Sequence, residues 1–304
     1  MNHKINYEQD QAAGLRHLSN DVTALESPDT GDSGSSRVMA VSSGKGGVGK
    51  TAVVANLALC MALQGKRVLI IDADLGLANV DVVYGLSPKY TLNQFFSQGR
   101  SLEEILTSGP RGVKTLPAGS GVQQLTRLDT SQKRRFMEEL EEIQEDFDLV
   151  LIDTEAGISE NVTYFNIAAQ EIVIVTTPDL TSITDAYSLM KLLAINYREK
   201  EFNLLVNMAG SEKEALDVYR KLTKVSNNYL DISINYLGSI PHEKRMRESL
   251  RKQTPVVNLY PNSKTSQAFT SLTQNLIQDV PENNLKGSLQ FFWRRLFSLN
   301  GAQK

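Results

Sequence analysis

From Arg37 onward, short runs of apolar and β-branched residues alternate with longer amphipathic stretches. RVMAVSS (37–43), KRVLIIDAD (66–74), GVKTLPAG (112–119), FDLVLIDT (147–154), EIVIVTTP (171–178), FNLLVNMA (202–209) and INYLGSIP (234–241) read as strands. Several are apolar nearly throughout, so they expect cover on both faces. Helical spacing marks about Lys50–Leu63, then QKRRFMEELEEIQED, TDAYSLMKLLAINYRE and SEKEALDVYRKLTKV, and a last pair near 243–252 and 263–279. Strands of this kind alternating with helices predict an α/β domain over 37–280. It has a mostly parallel sheet with helices on both faces.

The two ends read differently. Leu15, Leu18, Val22 and Leu25 are spaced three, four and three apart, which predicts a short amphipathic helix within 1–26. Residues 27–36, SPDTGDSGSS, read as a flexible linker. Pro281 closes the domain, and 281–304 reads as a separate C-terminal amphipathic helix. There Leu285, Leu289, Phe292, Trp293 and Leu296 recur at helical spacing on one broad face, with Arg294 and Arg295 on the other side. Aromatic residues beside basic ones suit a membrane interface. The expectation is reversible binding to membrane lipids through those five apolar residues, against the alternative of docking on the chain's own domain.

Composition narrows the function. The chain has 304 residues and 41% hydrophobic content, enough for a sizeable core. Its formal charge is -3, from 32 basic and 35 acidic residues, so no direct nucleic-acid binding over a wide surface is expected. The single cysteine, Cys60, lies in an apolar helical run and excludes a disulfide framework. The polar N-terminus lacks a signal-peptide core, and no apolar run approaches the ~20 residues that span a bilayer. The expected location is the cytoplasm.

The strongest chemical signal is SGKGGVGKT, residues 43–51. Gly44, Gly49, Lys50 and Thr51 satisfy G-x-x-x-x-G-K-[ST] between a strand and a helix, the setting that a phosphate loop needs. Gly46, Gly47 and Val48 complete the loop. Glycines let backbone N–H groups converge on phosphate oxygens, and the helix N-terminus adds partial positive charge. Lys50 reaches the β- and γ-phosphates, and Thr51 offers a hydroxyl to Mg²⁺. ATP and Mg²⁺ are the expected cofactors. Asp72 and Asp74 end a strand, and ligands of such sheets bind beyond the carboxyl ends of strands.

The string K-G-G-V-G-K-T, with Lys45 as an early second lysine, resembles the deviant phosphate loop of the MinD/ParA family of P-loop ATPases. The resemblance spans roughly 37–280. It implies a homodimer formed on ATP binding, with Lys45 reaching the partner's nucleotide as an arginine finger does. It gives Asp74 the role of orienting the attacking water and Asp72 that of supporting the Mg²⁺ shell. Asp153 becomes the Walker B acid that holds Mg²⁺ through water. Asn207 and Pro241 become base-side contacts; the guanine-selecting Asp is absent, which favours ATP. Ala52, Glu155 and Glu243 depart from common family choices.

Asp10, Gln11, Ala12, Leu15 and Arg16 fit D-Q-A-x-x-L-R, which resembles the activator helix of the FlhG (FleN, YlxH) group of this family. That group regulates flagellar number and placement. The resemblance implies stimulation of an FlhF-type GTPase, with Gln11 completing the partner's site. It also implies contacts with flagellar C-ring proteins and with the flagellar master transcription regulator of polar flagellates. The chain would sit peripherally at the inner face of the cytoplasmic membrane, at a cell pole in such organisms. A MinD-type division-site ATPase and a nucleotide-binding scaffold with negligible hydrolysis are the alternatives.

Overall fold

The computed structural model describes residues 36–74, 79–117, 129–144, 146–278 and 289–301. In chain order its elements are β1 (Arg37–Ser43), α1 (Lys50–Leu63), β2 (Val68–Ala73), α2 (Asn79–Tyr84), α3 (Leu92–Gln98), α4 (Leu102–Ile105), β3 (Thr107–Ser108), β4 (Lys114–Pro117), α5 (Thr130–Gln144), β5 (Leu149–Ala156), α6 (Glu160–Ala168), β6 (Glu171–Thr176), α7 (Leu180–Tyr197), β7 (Glu201–Ala209), α8 (Glu212–Tyr229), β8 (Ser233–Pro241), α9 (Lys244–Arg251), α10 (Val256–Leu259), α11 (Lys264–Gln278) and α12 (Leu289–Gly301). The expected N-terminal helix, with Asp10, Gln11, Ala12, Leu15 and Arg16, lies outside the described residues, as does Leu285.

The strands form one sheet in the order β3-β4-β2-β5-β1-β6-β7-β8. Every described pair is parallel except β3–β4 at one edge. This is the mostly parallel α/β sheet expected from the alternation of runs. From β1 the chain passes to β2 on one side, and from β5 it passes to β6 on the other. A crevice beyond the carboxyl ends of the central strands is where such a sheet takes ligands.

Alternate strand residues feed two separate cores, which explains the unbroken apolar runs. Val38, Ala40, Leu69, Ile71, Val150 and Ile152 face one core, built with α3 to α8 and α12. Met39, Val41, Val68, Ile70 and Leu151 face the other, built with α1, α2, α10 and α11. Cys60 is buried in the second core, where burial pushes its thiol up to about 11. It is a small core residue and no nucleophile.

The C-terminal helix is where the structure departs most from the sequence reading. Instead of standing apart with its apolar face outward, α12 packs on α5 and α6. Leu289, Phe292, Trp293 and Leu296 are all buried in the first core. Trp293 meets Phe136 edge-on at 4.8 Å between ring centroids, and Phe292 stacks on Phe165 at 6.1 Å. Arg295, expected on the solvent side, reaches Glu199 at 3.5 Å. The physical reason is economy of apolar surface: a face this wide finds a matching apolar groove on its own domain, and burying it there removes it from water. The four described residues of the expected membrane face are therefore core residues in this conformation.

Candidate functional site

The phosphate loop links β1 to α1. Gly49 has φ 83° and ψ 23°, a left-handed conformation at the α1 N-cap, and no side chain accepts the first helical N–H groups there. Those groups stay available to an anion. Gly49 and Gly44 are also glycines for want of room. A Cβ on Gly49 would fall 2.5 Å from Asn207 Nδ2, and one on Gly44 would fall 2.1 Å from the Asp185 carbonyl oxygen. Lys45, Gly46, Gly47 and Val48 form a ridge between two cavities. One, about 340 Å³, is bounded by Lys50, Thr51, Asp74 and Asn79. The other, about 480 Å³, is bounded by Asp179, Met208, Glu214 and His242.

Lys50 and Asp153 form an ion pair at 2.5 Å, both almost fully buried. Burial pushes the Asp153 carboxyl upward, against the pull of Lys50. Its second oxygen, Oδ2, is buried with no hydrogen-bond partner. Thr51 lies beside it. Asp72 has backbone partners. Its carboxylate accepts the Asn79 N–H at 3.0 Å and the Val80 N–H at 3.2 Å, so it caps α2, and it also accepts the Asp74 N–H at 3.3 Å. Burial, and then the neighbouring Asp153 charge, raise the Asp72 carboxyl to about 7. Asp74 is half-buried and accepts from Asn79 Nδ2 at 3.0 Å.

The remaining expected residues fall around the same loop. Asn207 is buried, donates to the Val48 carbonyl at 2.7 Å and accepts from the Met208 N–H at 2.9 Å. Both ends of its amide are engaged inside the protein, so it braces the phosphate loop. Pro241 is half-buried beside Ala209, and the next N–H, of His242, donates to the Ala209 carbonyl at 2.9 Å. Glu155 accepts from the hydroxyl of Ser159, the N-cap of α6, while the Gly157 N–H donates to the Ser43 carbonyl at 2.8 Å. The segment after β5 is thereby tied to the loop's entry. Ala52 is buried in the first turn of α1.

Three features escape the sequence. Lys45 is held by Asp179 and Thr181; an Asp before an apolar helical run signals an N-cap, but nothing in the pattern names a lysine as its partner. Gly44 rests against α7. Asp81 is buried in α2 with neither carboxylate oxygen partnered, and burial raises it to about 6. Its position in NVDVVY is the one available hint, an acid inside an apolar run.

The residues present fit Mg²⁺ carried in with a nucleotide. The orphaned Asp153 Oδ2 and the adjacent Thr51 hydroxyl supply hard oxygen donors. Among the described residues no group of three His, Cys, Asp or Glu side chains converges to hold a metal.

Known proteins place this geometry. A family model described as "ParA: NUBPL iron-transfer P-loop NTPase" matches residues 34–277. The antiactivator FleN of Pseudomonas aeruginosa is 43% identical over 260 residues, covering 86% of this chain and 93% of that protein. The flagellum site-determining protein YlxH of Helicobacter pylori is 32% identical, covering 88% of this chain and 92% of its own. Among solved structures, MinD in the MinC:MinD cell division complex of Aquifex aeolicus aligns with TM-score 0.65 and 27% identity over 82% of this chain and 99% of that one. MinD of Pyrococcus horikoshii, solved with Mg-ADP, aligns with TM-score 0.62 and 25% identity over 79% of this chain and 96% of its own. A loop that opens α1 to an anion, a buried lysine–aspartate pair behind it and matches over this much of the chain lead to one assignment: the chain belongs to the ParA/MinD family of P-loop NTPases.

Proposed function

We propose that the protein is an ATPase that regulates flagellar number and placement, working as an ATP-dependent homodimer that binds membranes reversibly. The match to the flagellum site-determining protein YlxH, beside the 43% identity to the antiactivator FleN, each over most of both chains, carries the flagellar reading. The ATPase reading rests on the phosphate loop and the acids behind it.

The chain's residues divide the chemistry as follows. The open N–H groups of α1 and the Gly46–Val48 ridge bind the phosphates. Lys50 would exchange its buried partner, Asp153, for the β- and γ-phosphates, which would leave Asp153, with Thr51 beside it, to hold Mg²⁺. When bound, Mg²⁺ would neutralise phosphate charge. Asp74, steered by Asn79, orients the attacking water; positioning the water, more than taking its proton, is its role, so the expected turnover is slow. Asp72 fixes α2 and thereby places Asn79 and Asp74. Lys45 of each copy stabilises transition-state charge on the other copy's nucleotide. Asn207 and the Pro241 turn shape the base side of the loop.

Membrane binding requires α12 to leave its groove, which exposes Phe292, Trp293 and Leu296. Two such helices in one dimer bind far better than one, so dimerisation would gate attachment by avidity. Residues 1–26 would stimulate an FlhF-type GTPase through Gln11, and C-ring proteins and a flagellar master transcription regulator would be further partners. The test is GTP turnover by a purified FlhF-type GTPase mixed with the full chain. Stimulation that is lost with Gln11→Ala supports the flagellar reading; no stimulation by the wild type refutes it.

A further inference from the structure

Lys45 is tethered within its own chain. Its ammonium donates to Asp179 Oδ2 at 3.0 Å and to the Thr181 hydroxyl. Asp179 is the N-cap of α7, where it also accepts the Ser182 N–H at 3.3 Å. The Thr181 hydroxyl and Lys45, in that order, hold its carboxyl down at about 2, so it stays ionised. The same helix touches the loop a second time, because Gly44 abuts the Asp185 carbonyl with no space for a Cβ. Backbone and side chain of α7 therefore grip the loop one residue apart, at Gly44 and Lys45. Next to the tether, Leu180 is 71% exposed, so the ion pair stands at an open edge.

A lysine held on its own α7 cannot at the same time reach phosphates bound to a second copy. We propose that Asp179 and Thr181 are positioning residues that hold Lys45 in cis, and so raise the ATP concentration at which two copies join. This rests on the reading that Lys45 acts in trans. The lysine and aspartate side chains are 44% and 54% exposed, so the tether is weak enough for a polyphosphate to displace it. An ion pair this open shifts an equilibrium by about 1.5- to fivefold. Two tethers open per dimer, so the dimerisation constant shifts by about two- to twenty-five-fold.

The test uses the full chain, Asp179→Asn and Thr181→Val. Asparagine keeps an acceptor for the α7 cap and removes the charge; valine leaves Asp179 in place and removes one lysine acceptor. Two readouts separate the tether from the dimer. The first is acylation of Lys45 without nucleotide, followed by peptide mass spectrometry. It should be about 1.5- to fivefold faster in D179N than in wild type, with a smaller rise in T181V. Equal rates in all three proteins would overturn the tether, whatever the oligomeric state. The second is light scattering against ATP concentration. D179N should dimerise at lower ATP than wild type, and added salt should narrow the gap by screening the wild-type pair. A D179N variant that needs more ATP would overturn the proposal, because Asp179 would then be serving the dimer. A wild type that stays monomeric at saturating ATP, with Lys45 acylation still faster in D179N, would count against action in trans and leave the tether standing.

Discussion

Replacing Phe136 by alanine should release α12 without touching the helix itself. Phe136 is fully buried in α5 and meets four rings. Two belong to α12, Trp293 at 4.8 Å and Phe297 at 5.9 Å; the others are Phe95 at 5.4 Å and Phe96 at 5.7 Å. A buried Phe→Ala change costs about 3–5 kcal/mol in all. Aromatic pairs are worth about 0.5–1.5 kcal/mol each beyond area, so the two lost with α12 weaken docking by about 1–3 kcal/mol. That shifts the docked-to-released ratio by about five- to 150-fold. Docking already carries a penalty, since Trp293 Nε1 is buried without an acceptor, a cost of about 1–3 kcal/mol. Trp293 is the chain's only tryptophan, so its fluorescence reports α12 directly. In F136A without nucleotide, emission should move to longer wavelength, acrylamide quenching should rise, and more protein should co-sediment with anionic vesicles. Phe136→Leu should show the same trend more weakly. A folded F136A with wild-type emission and wild-type vesicle binding would refute the gating of membrane contact by this groove.

Two further outcomes follow from the site. Asp81 has a folded-state carboxyl raised from 3.8 to about 6, so the native state holds its proton through that window and the unfolded chain does not. Wild-type stability should fall as pH rises from about 4 to about 6, with the loss persisting above that; Asp81→Asn should lack this fall, and parallel melting-temperature curves for the two proteins would contradict it. Gly44→Ala forces a Cβ onto the Asp185 carbonyl, whereas a Cβ on Gly46 meets nothing within 4 Å. Thermal melting should drop in G44A, by about 1–3 kcal/mol of stability or more, and stay near wild type in G46A; ATP titration should show binding lost in G44A.

The framework was legible because it follows from local rules. RVMAVSS is β1 to the residue, Lys50–Leu63 is α1 as expected, and the G-x-x-x-x-G-K-[ST] string sits at the strand–helix junction it implies. Short elements were not legible: α2, α3, α4, α10 and the two-residue β3 are too brief for periodicity to mark. The fate of α12 was not legible either. An apolar face with basic flanks reads the same whether it meets lipid or a groove, and the groove is assembled from α5 and α6, distant in sequence. Asp72 shows a third limit. The family resemblance gives it the Mg²⁺ shell, and nothing in the local pattern shows that its carboxylate also accepts two N–H groups of α2 and that of Asp74. Pairings such as Lys45 with Asp179 and Lys50 with Asp153 span more than a hundred residues and exist only in the fold.

In the proposed cycle Mg-ATP joins two copies through the phosphate-loop face, and Asp74 drives their separation by hydrolysis. The most direct measurement is the molar mass of Asp74→Ala in solution by light scattering, with Mg-ATP and with Mg-ADP. The variant should show a mass twice that of one chain with Mg-ATP and a single-chain mass with Mg-ADP. A single-chain mass under both conditions, with ATP binding confirmed by titration, would contradict it.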